Sequence, residues 1–204
     1  KVHSPTKSIN GIISNIPGIH NVQNVLAVCA MATELGIKPE IFKMALEGFQ
    51  GVNRRFSLLS SFRGINIYDD YGHHPVEIRA TLSAARQVSK NRVVAIVQPH
   101  RYSRLKILFE DFTSAFNDAD TVFITNIYSA GEKKDPEITE THLIASLIAS
   151  GHKDVRKYKN LEDLRDFLEK NLEEGDLMIF LGAGDITHYA RSFTKFLNES
   201  NVNA

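Results

Sequence analysis

The 204-residue sequence predicts an α/β fold, an open and mostly parallel sheet with helices on both faces, following a shorter helical segment. Three observations predict it. Four short runs, "INIYDD", "RVVAIVQP", "TVFITNI" and "DLMIFLGAG", are nearly continuously apolar and rich in β-branched residues, as strands buried on both faces are. Stretches of helical length and pattern separate them, so strand and helix alternate as in βαβ units. The alternation begins only after "QGVNRRFS", a glycine-containing basic joint without apolar periodicity.

In chain order, residues 1–19 read as a short strand or loop ending in the turn "IPGI". "NVQNVLAVCAMATELG" then carries Val22, Val25, Leu26 and Cys29 at the spacing of one helical face and stops at Gly36. Pro39 suits a first helical position, and "PEIFKMALEGF" reads as a second helix ending near Gly48. The joint places a boundary near Asn53 to Ser57, dividing the chain into 1–53 and 57–204. Beyond it, helices are expected over 75–89, 103–118, 140–150 and 161–172. A fifth strand is expected at "VRKYK", and "DITHYARSFTKFLNE" closes the chain as a helix.

Composition narrows the function classes. A formal net charge of zero leaves no broad basic footprint for nucleic acid or an acidic membrane surface. No apolar run approaches the roughly 20 residues that span a bilayer, and "KVHSPTKSIN" has no secretory core. The single cysteine, Cys29, has no partner for an internal disulfide, which fits a reducing, cytoplasmic compartment. The chain opens mid-pattern without an initiator Met, as a fragment of a longer protein would. No G-x-x-x-x-G-K-[S/T] phosphate cradle occurs.

Ligands of open parallel sheets bind beyond the carboxyl ends of the strands. The residues there are Asp69 to His74 after the first strand, and Gln98, His100, Arg101 and Arg104 after the second. Asn126, Tyr128, Ser129, Gly131 and Glu132 follow the third strand, and Gly182, Gly184 and Asp185 follow the last. In "DDYGHHP", Pro75 starts a helix, so His73 or His74 is its N-cap. The acids and histidines can simply cap and turn the chain. Their density also suits a site, since a carboxylate can accept ribose hydroxyls and histidine can orient a substrate or ligate a metal. In "PHRYSRLK", Arg101 and Arg104 straddle a helix start, where cations oppose the helix dipole by about 0.3–1 kcal/mol. They are either solvated or an anion clamp for carboxylate or phosphate.

Asn21 and Asn24 stand three residues apart at a helix N-terminus. One can be the cap, and together they can read a heterocycle edge. Arg54 and Arg55 form a doublet at the joint, where a nucleotide's phosphates would meet two domains. "FLGAGDIT" imitates a dinucleotide fingerprint but has Thr187 in place of the third glycine, so it reads as a tight strand–helix turn. A metal-dependent phosphoesterase built on Asp69, Asp70, His73, His74 and His100 is the competing enzyme class.

In that order, "GIHNVQNVLAVCAMATELGI", "GVNRRF", "YDDYGHHPVEI", "QPHRYSRL", "IYSAGE" and "GAGDI" resemble the Mur ligase family over essentially the whole chain. The pair "DDYGHHP" and "PHRYSR" resembles the member that joins L-alanine to UDP-N-acetylmuramate, and less well the murein-peptide-recycling member. The resemblance implies the last part of a central ATPase domain followed by a Rossmann-like C-terminal domain, with the N-terminal domain and the phosphate loop outside this chain. It implies ATP-dependent amide formation in peptidoglycan precursor synthesis, with Mg²⁺ on the phosphates. The substrate carboxylate becomes an acyl phosphate, which the amine of L-alanine attacks. By motif position, Asn21 and Asn24 resemble the adenine-side asparagines, Arg55 the phosphate-reaching hinge arginine, and Asp70 the ribose aspartate. Tyr71, His73, Arg101 and Arg104 resemble the group that positions the incoming amino acid. No metal ligand is expected in this chain. The departures at Asn53 and at Thr187-His188 are expected to touch none of these contacts.

Overall fold

A computed structural model describes Val2, His3 and residues 8–202, with side chains as far as Glu199. Part of the expected 1–19 segment therefore lies outside the described residues. The chain divides into two compact units, Lys1–Val52 and Asn53–Ala204.

The first unit pairs β1 (Val2–His3) with β2 (Ser8–Ile9) antiparallel and adds α1 (Ile19–Glu34) and α2 (Pro39–Gly48). Helix α1 starts two residues before the expected Asn21, with Gly18 as its N-cap. At its end, Gly36 takes φ +70 while the Ile37 amide returns to the Ala32 carbonyl, a left-handed glycine stop. Cys29, Ala32 and Phe42 form the buried cluster. Of the expected face of α1 only Cys29 is buried, and Val22 and Leu26 are exposed. Apolar residues surround this helix, so a four-residue stripe does not describe it.

The second unit is a six-stranded sheet in the order β3-β4-β8-β5-β6-β7. Strands β4 (Ile65–Asp70), β5 (Val93–Val97), β6 (Thr121–Ile124), β7 (Val155–Lys157) and β8 (Leu177–Leu181) run parallel. One strand was not anticipated: β3 (Ser57–Phe62) pairs antiparallel with β4 through a two-residue turn. Arg63 and Gly64 both have positive φ there, 50 and 77, as a tight hairpin of right-handed twist requires.

Helices α3 (Pro75–Val88), α4 (Tyr102–Ile107), α5 (Phe109–Thr113) and α6 (Glu140–Ala149) lie on one face, and α7 (Leu161–Asn171) and α8 (Ile186–Val202) on the other. The two-residue period of a strand divides the apolar runs between these layers. Val93, Ala95 and Val97 join one core with Ile78, Leu82, Phe112 and Leu143. Val94 and Ile96 join the other with Leu168, Ala190 and Phe193. The single helix expected over 103–118 is broken at Leu108, which caps α4 and α5 in turn, and helical structure ends at Thr113. Neither glycine nor proline marks that break.

The last strand of the chain, β8, sits between β4 and β5. Helix α3 covers one face and α8 the other, so chain connections diverge at this point, where open sheets form a crevice.

Candidate functional site

The tips of β4, β8, β5 and β6 carry the polar residues that the sequence placed there. The Asp70 carboxylate is buried and accepts from three groups: the Gly72 amide at 2.7 Å, the Thr81 hydroxyl at 3.1 Å and the Phe56 amide at 2.8 Å. It thus ties the tip of β4 to helix α3 and to the segment bearing Arg55. A carboxylate has about four lone-pair positions, so about one remains for a ligand. Gly72 is required there, because a Cβ would stand 2.8 Å from Asp70 Oδ1.

His74 is the N-cap of α3, and its Nδ1 accepts from the Val76 amide at 3.3 Å. Glu77 returns the bond, its Oε2 accepting from the His73 and His74 amides at 3.1 Å each. Burial acts to raise the Glu77 carboxyl, but these two amides and the charges of His73 and Arg55 hold it below its ordinary value. The capping alternative is therefore correct for His74, while His73 is turned toward the crevice. His73 Nδ1 lies 3.0 Å from the Tyr71 carbonyl, to which it can only donate, leaving Nε2 for another partner.

Four rings bridge the strand tips. Tyr71 and His73 meet edge to face at 5.4 Å, His73 and His100 at 5.2 Å, and His100 stacks on Tyr128 at 5.4 Å. Both tyrosines are 37% exposed, so the row forms a floor rather than part of the core. Gly184 makes room for it: a Cβ there would stand 2.6 Å from the Tyr128 ring. Arg104 Nη1 donates to His100 Nδ1 at 2.9 Å. A guanidinium has no acceptor, so His100 must accept through Nδ1 and carry its proton on Nε2. Burial, then the nearby charges of His73, Arg104 and Arg101, lower the His100 pKa to about 4. The imidazole is neutral at neutral pH.

Arg54 and Arg55 both lie over Tyr71, with the Arg54 guanidinium 4.8 Å and the Arg55 guanidinium 5.7 Å from the ring centre. Arg54 does the anchoring. Its Nη2 donates to the Gly182 carbonyl at 2.6 Å, and its Nε lies 3.8 Å from Asp69 Oδ2. Thr187 donates to the same Asp69 oxygen at 2.7 Å. Burial pushes the Asp69 carboxyl above its ordinary range despite Thr187 and Arg54. Thr187 thus supports the acid next to Asp70, a residue outside the contacts that the resemblance implies. Of the two acids in the competing phosphoesterase reading, Asp70 is held by three internal donors, whereas Asp69 engages Thr187 and Arg54 through Oδ2 and leaves its buried Oδ1 without a hydrogen-bond partner. Among the described residues, no group of three or more His, Cys, Asp or Glu is arranged to hold a metal ion.

In the first unit, Asn21 donates to the Pro17 carbonyl at 2.7 Å and Asn24 donates to Asn21 Oδ1 at 3.4 Å. The two amides share a face, and neither is the helix cap. In the second unit the crevice gathers Arg55, Asp70, Tyr71, His73 and Arg104 around Arg54, Asp69, Tyr128 and Glu132, which the sequence placed at the joint and the strand tips but to which the family resemblance gave no role. Their only advance signal was position, directly after a strand or within the basic doublet.

The family model described as the glutamate ligase domain of Mur ligases matches residues 54–184. The chain belongs to the Mur ligase family. It is 47% identical over 191 residues to a UDP-N-acetylmuramate–L-alanine ligase of Chelativorans, an alignment covering 94% of this chain and 41% of that protein. A crystal structure of a UDP-N-acetylmuramate–alanine ligase from Thermotoga maritima superposes with a TM-score of 0.75 at 34% identity. That superposition covers 92% of this chain and 40% of the other. A murein peptide ligase from Psychrobacter arcticus has a TM-score of 0.63 at 20% identity, covering 91% of this chain and 38% of its own, and shares the fold. The chain thus spans about two fifths of the length of these Mur ligases.

Proposed function

We propose that this chain supplies the C-terminal part of a cytoplasmic enzyme that joins L-alanine to UDP-N-acetylmuramate at the expense of ATP, through an acyl phosphate. In this reading residues 1–53 end the central ATP-binding domain and 57–204 form the ligase domain. The observation that carries it is the ring floor Tyr71–His73–His100–Tyr128 beside Arg101 and Arg104 at the strand tips. The family match and the relatives' names support the reaction.

The geometry supports the following roles. Arg101 and Arg104 would hold the alanine carboxylate, the ion that a guanidinium fork suits best. A neutral His100 leaves Arg104 charged next to it without adding a second buried cation, and offers Nε2–H as a donor. Tyr71 and His73 would bound the amino-acid pocket. Arg55, held over Tyr71, would reach the phosphates. Asp70 would use its remaining lone pair for ribose, and Asn21 and Asn24 would face adenine. ATP supplies the phosphoryl group that activates the carboxylate. In this reading the ligands of Mg²⁺ lie mostly outside this chain.

In the full-length enzyme, Asp70→Ala is expected chiefly to raise KM for ATP and Arg101→Ala chiefly that for alanine, each on the order of tenfold or more. If both substitutions moved the ATP constant alone, this division of roles would be wrong. Assays with L-alanine, glycine, L-serine and a murein tripeptide then identify the acceptor. Preference for the tripeptide would overturn the alanine assignment.

A further inference from the structure

We infer that Glu132 is a positioning residue for Arg101, holding its guanidinium at the place where the acceptor carboxylate binds. The inference deepens the proposed function and rests on its assignment of that carboxylate to Arg101.

Arg101 has φ 69 and ψ 133, a conformation that residues with a Cβ avoid. Such backbone costs on the order of 1–3 kcal/mol and persists only when the surroundings over-determine it. Glycine would relieve the strain, yet the position carries arginine, with half of its side chain exposed. Burial of apolar surface therefore does not explain it.

What fixes the segment is the loop after β6. The Tyr128 amide donates to the Pro99 carbonyl and the Arg101 amide to the Tyr128 carbonyl, both at 2.8 Å. Glu132 then secures the next turn. Its Oε2 accepts from the Ser103 amide at 3.0 Å and its Oε1 from the Ser103 hydroxyl at 2.6 Å. Glu132 is itself presented by a strained turn, with Ala130 at φ 51 and Gly131 at φ 87. Two disfavoured backbones face one another and are joined through a single carboxylate.

Arg101 Nη1 stands 3.9 Å from Glu132 Oε1. That distance is too long for a hydrogen bond, so the ion pair aims the guanidinium without consuming its donors. A half-exposed pair contributes little to stability. Its effect is orientation, and a misplacement of about 1 Å in a binding group is enough to weaken a site severely. Ser103 holds the Glu132 carboxyl below its ordinary range, hydroxyl first and amide second, which keeps it ionised.

The test uses the full-length enzyme with Glu132→Ala, Glu132→Gln, Arg101→Ala and the Glu132→Ala/Arg101→Ala double variant. KM for alanine, KM for ATP and Tm are measured for each. Glu132→Ala is expected to raise the alanine constant about tenfold, with the ATP constant within about twofold and Tm within about 2 °C. Glu132→Gln, which can keep both Ser103 contacts, recovers part of the loss. In the Arg101→Ala background, Glu132→Ala has no further effect, because the group to be aimed is gone. Additive losses in the double variant, a joint rise of both constants, or a fall in Tm alone would each overturn the inference. If Arg101→Ala leaves the alanine constant unchanged, the carboxylate assignment fails, and this inference fails with it. If Arg101→Ala raises it while Glu132→Ala does not, only the role of Glu132 fails.

Discussion

The two units of this chain use apolar residues in opposite ways. In Asn53–Ala204, strands and helices alternate so that both faces of the sheet are sealed, and Phe112, Phe116, Phe180 and Phe193 are wholly buried. In Lys1–Val52 the buried cluster is small, while Leu35 is 73% and Met44 71% exposed. A helix apolar on all sides belongs inside a larger body, and a unit of this size buries too little surface to be secure alone. Apolar content does not by itself specify a core. Periodicity matched to the neighbours does.

The largest test of this contrast is to separate the units. A chain of residues 53–204 is expected to unfold in one cooperative transition by circular dichroism, and residues 1–52 to show none. Cooperative melting of the short piece would remove the distinction. Next in size, Phe193→Ala should cost about 3–5 kcal/mol in urea titrations, as large-to-small changes in packed cores do. Met44→Ala should stay within about 0.5 kcal/mol, as exposed positions do. Smaller again, Gly184→Ala would drive a methyl into the Tyr128 ring and Gln98 Oε1. About 1–3 kcal/mol of overpacking is expected, with disturbance of the His100 ring visible by NMR.

The smallest expected effect concerns pH. His100 titrates near 4 when folded and near its ordinary 6.5 when unfolded. Between these values the unfolded chain binds the extra proton, so its contribution favours folding increasingly as pH rises from about 4 to 6.5 and is constant above that window. His100→Gln is expected to flatten that part of the stability profile, measured as urea midpoints across the window. An unchanged slope would show that the ring is not held neutral.

Several features were legible because local chemistry dictates them. Pro75 after two histidines announced the start of α3, and apolar, β-branched runs announced four of the strands in the main sheet. Strand β3 escaped because "SLLSSF" mixes serine with leucine on a partly exposed edge, and only the turn at Arg63-Gly64 betrays the hairpin. The break at Leu108 escaped because Leu105, Leu108, Phe109 and Phe112 keep helical spacing straight through it and pack on one core. The candidate site was legible as a set of strand tips, since in a parallel sheet every strand delivers its carboxyl end to the same rim. Roles within the set were not. Which histidine caps a helix, which arginine anchors and which is presented, and what Thr187 touches depend on contacts between residues far apart in the chain.

By itself the sequence determined the class of fold and the polar residues that follow its strands, because periodicity, capping and turn chemistry act over a few residues. Only the tertiary structure decided that β8 inserts between β4 and β5. It alone set His100 against Tyr128 and Arg104, and Arg101 opposite Glu132 in disfavoured backbone. Those choices are made by long-range packing and hydrogen bonding, whose energies exceed local preference and leave no mark in any short stretch of chain.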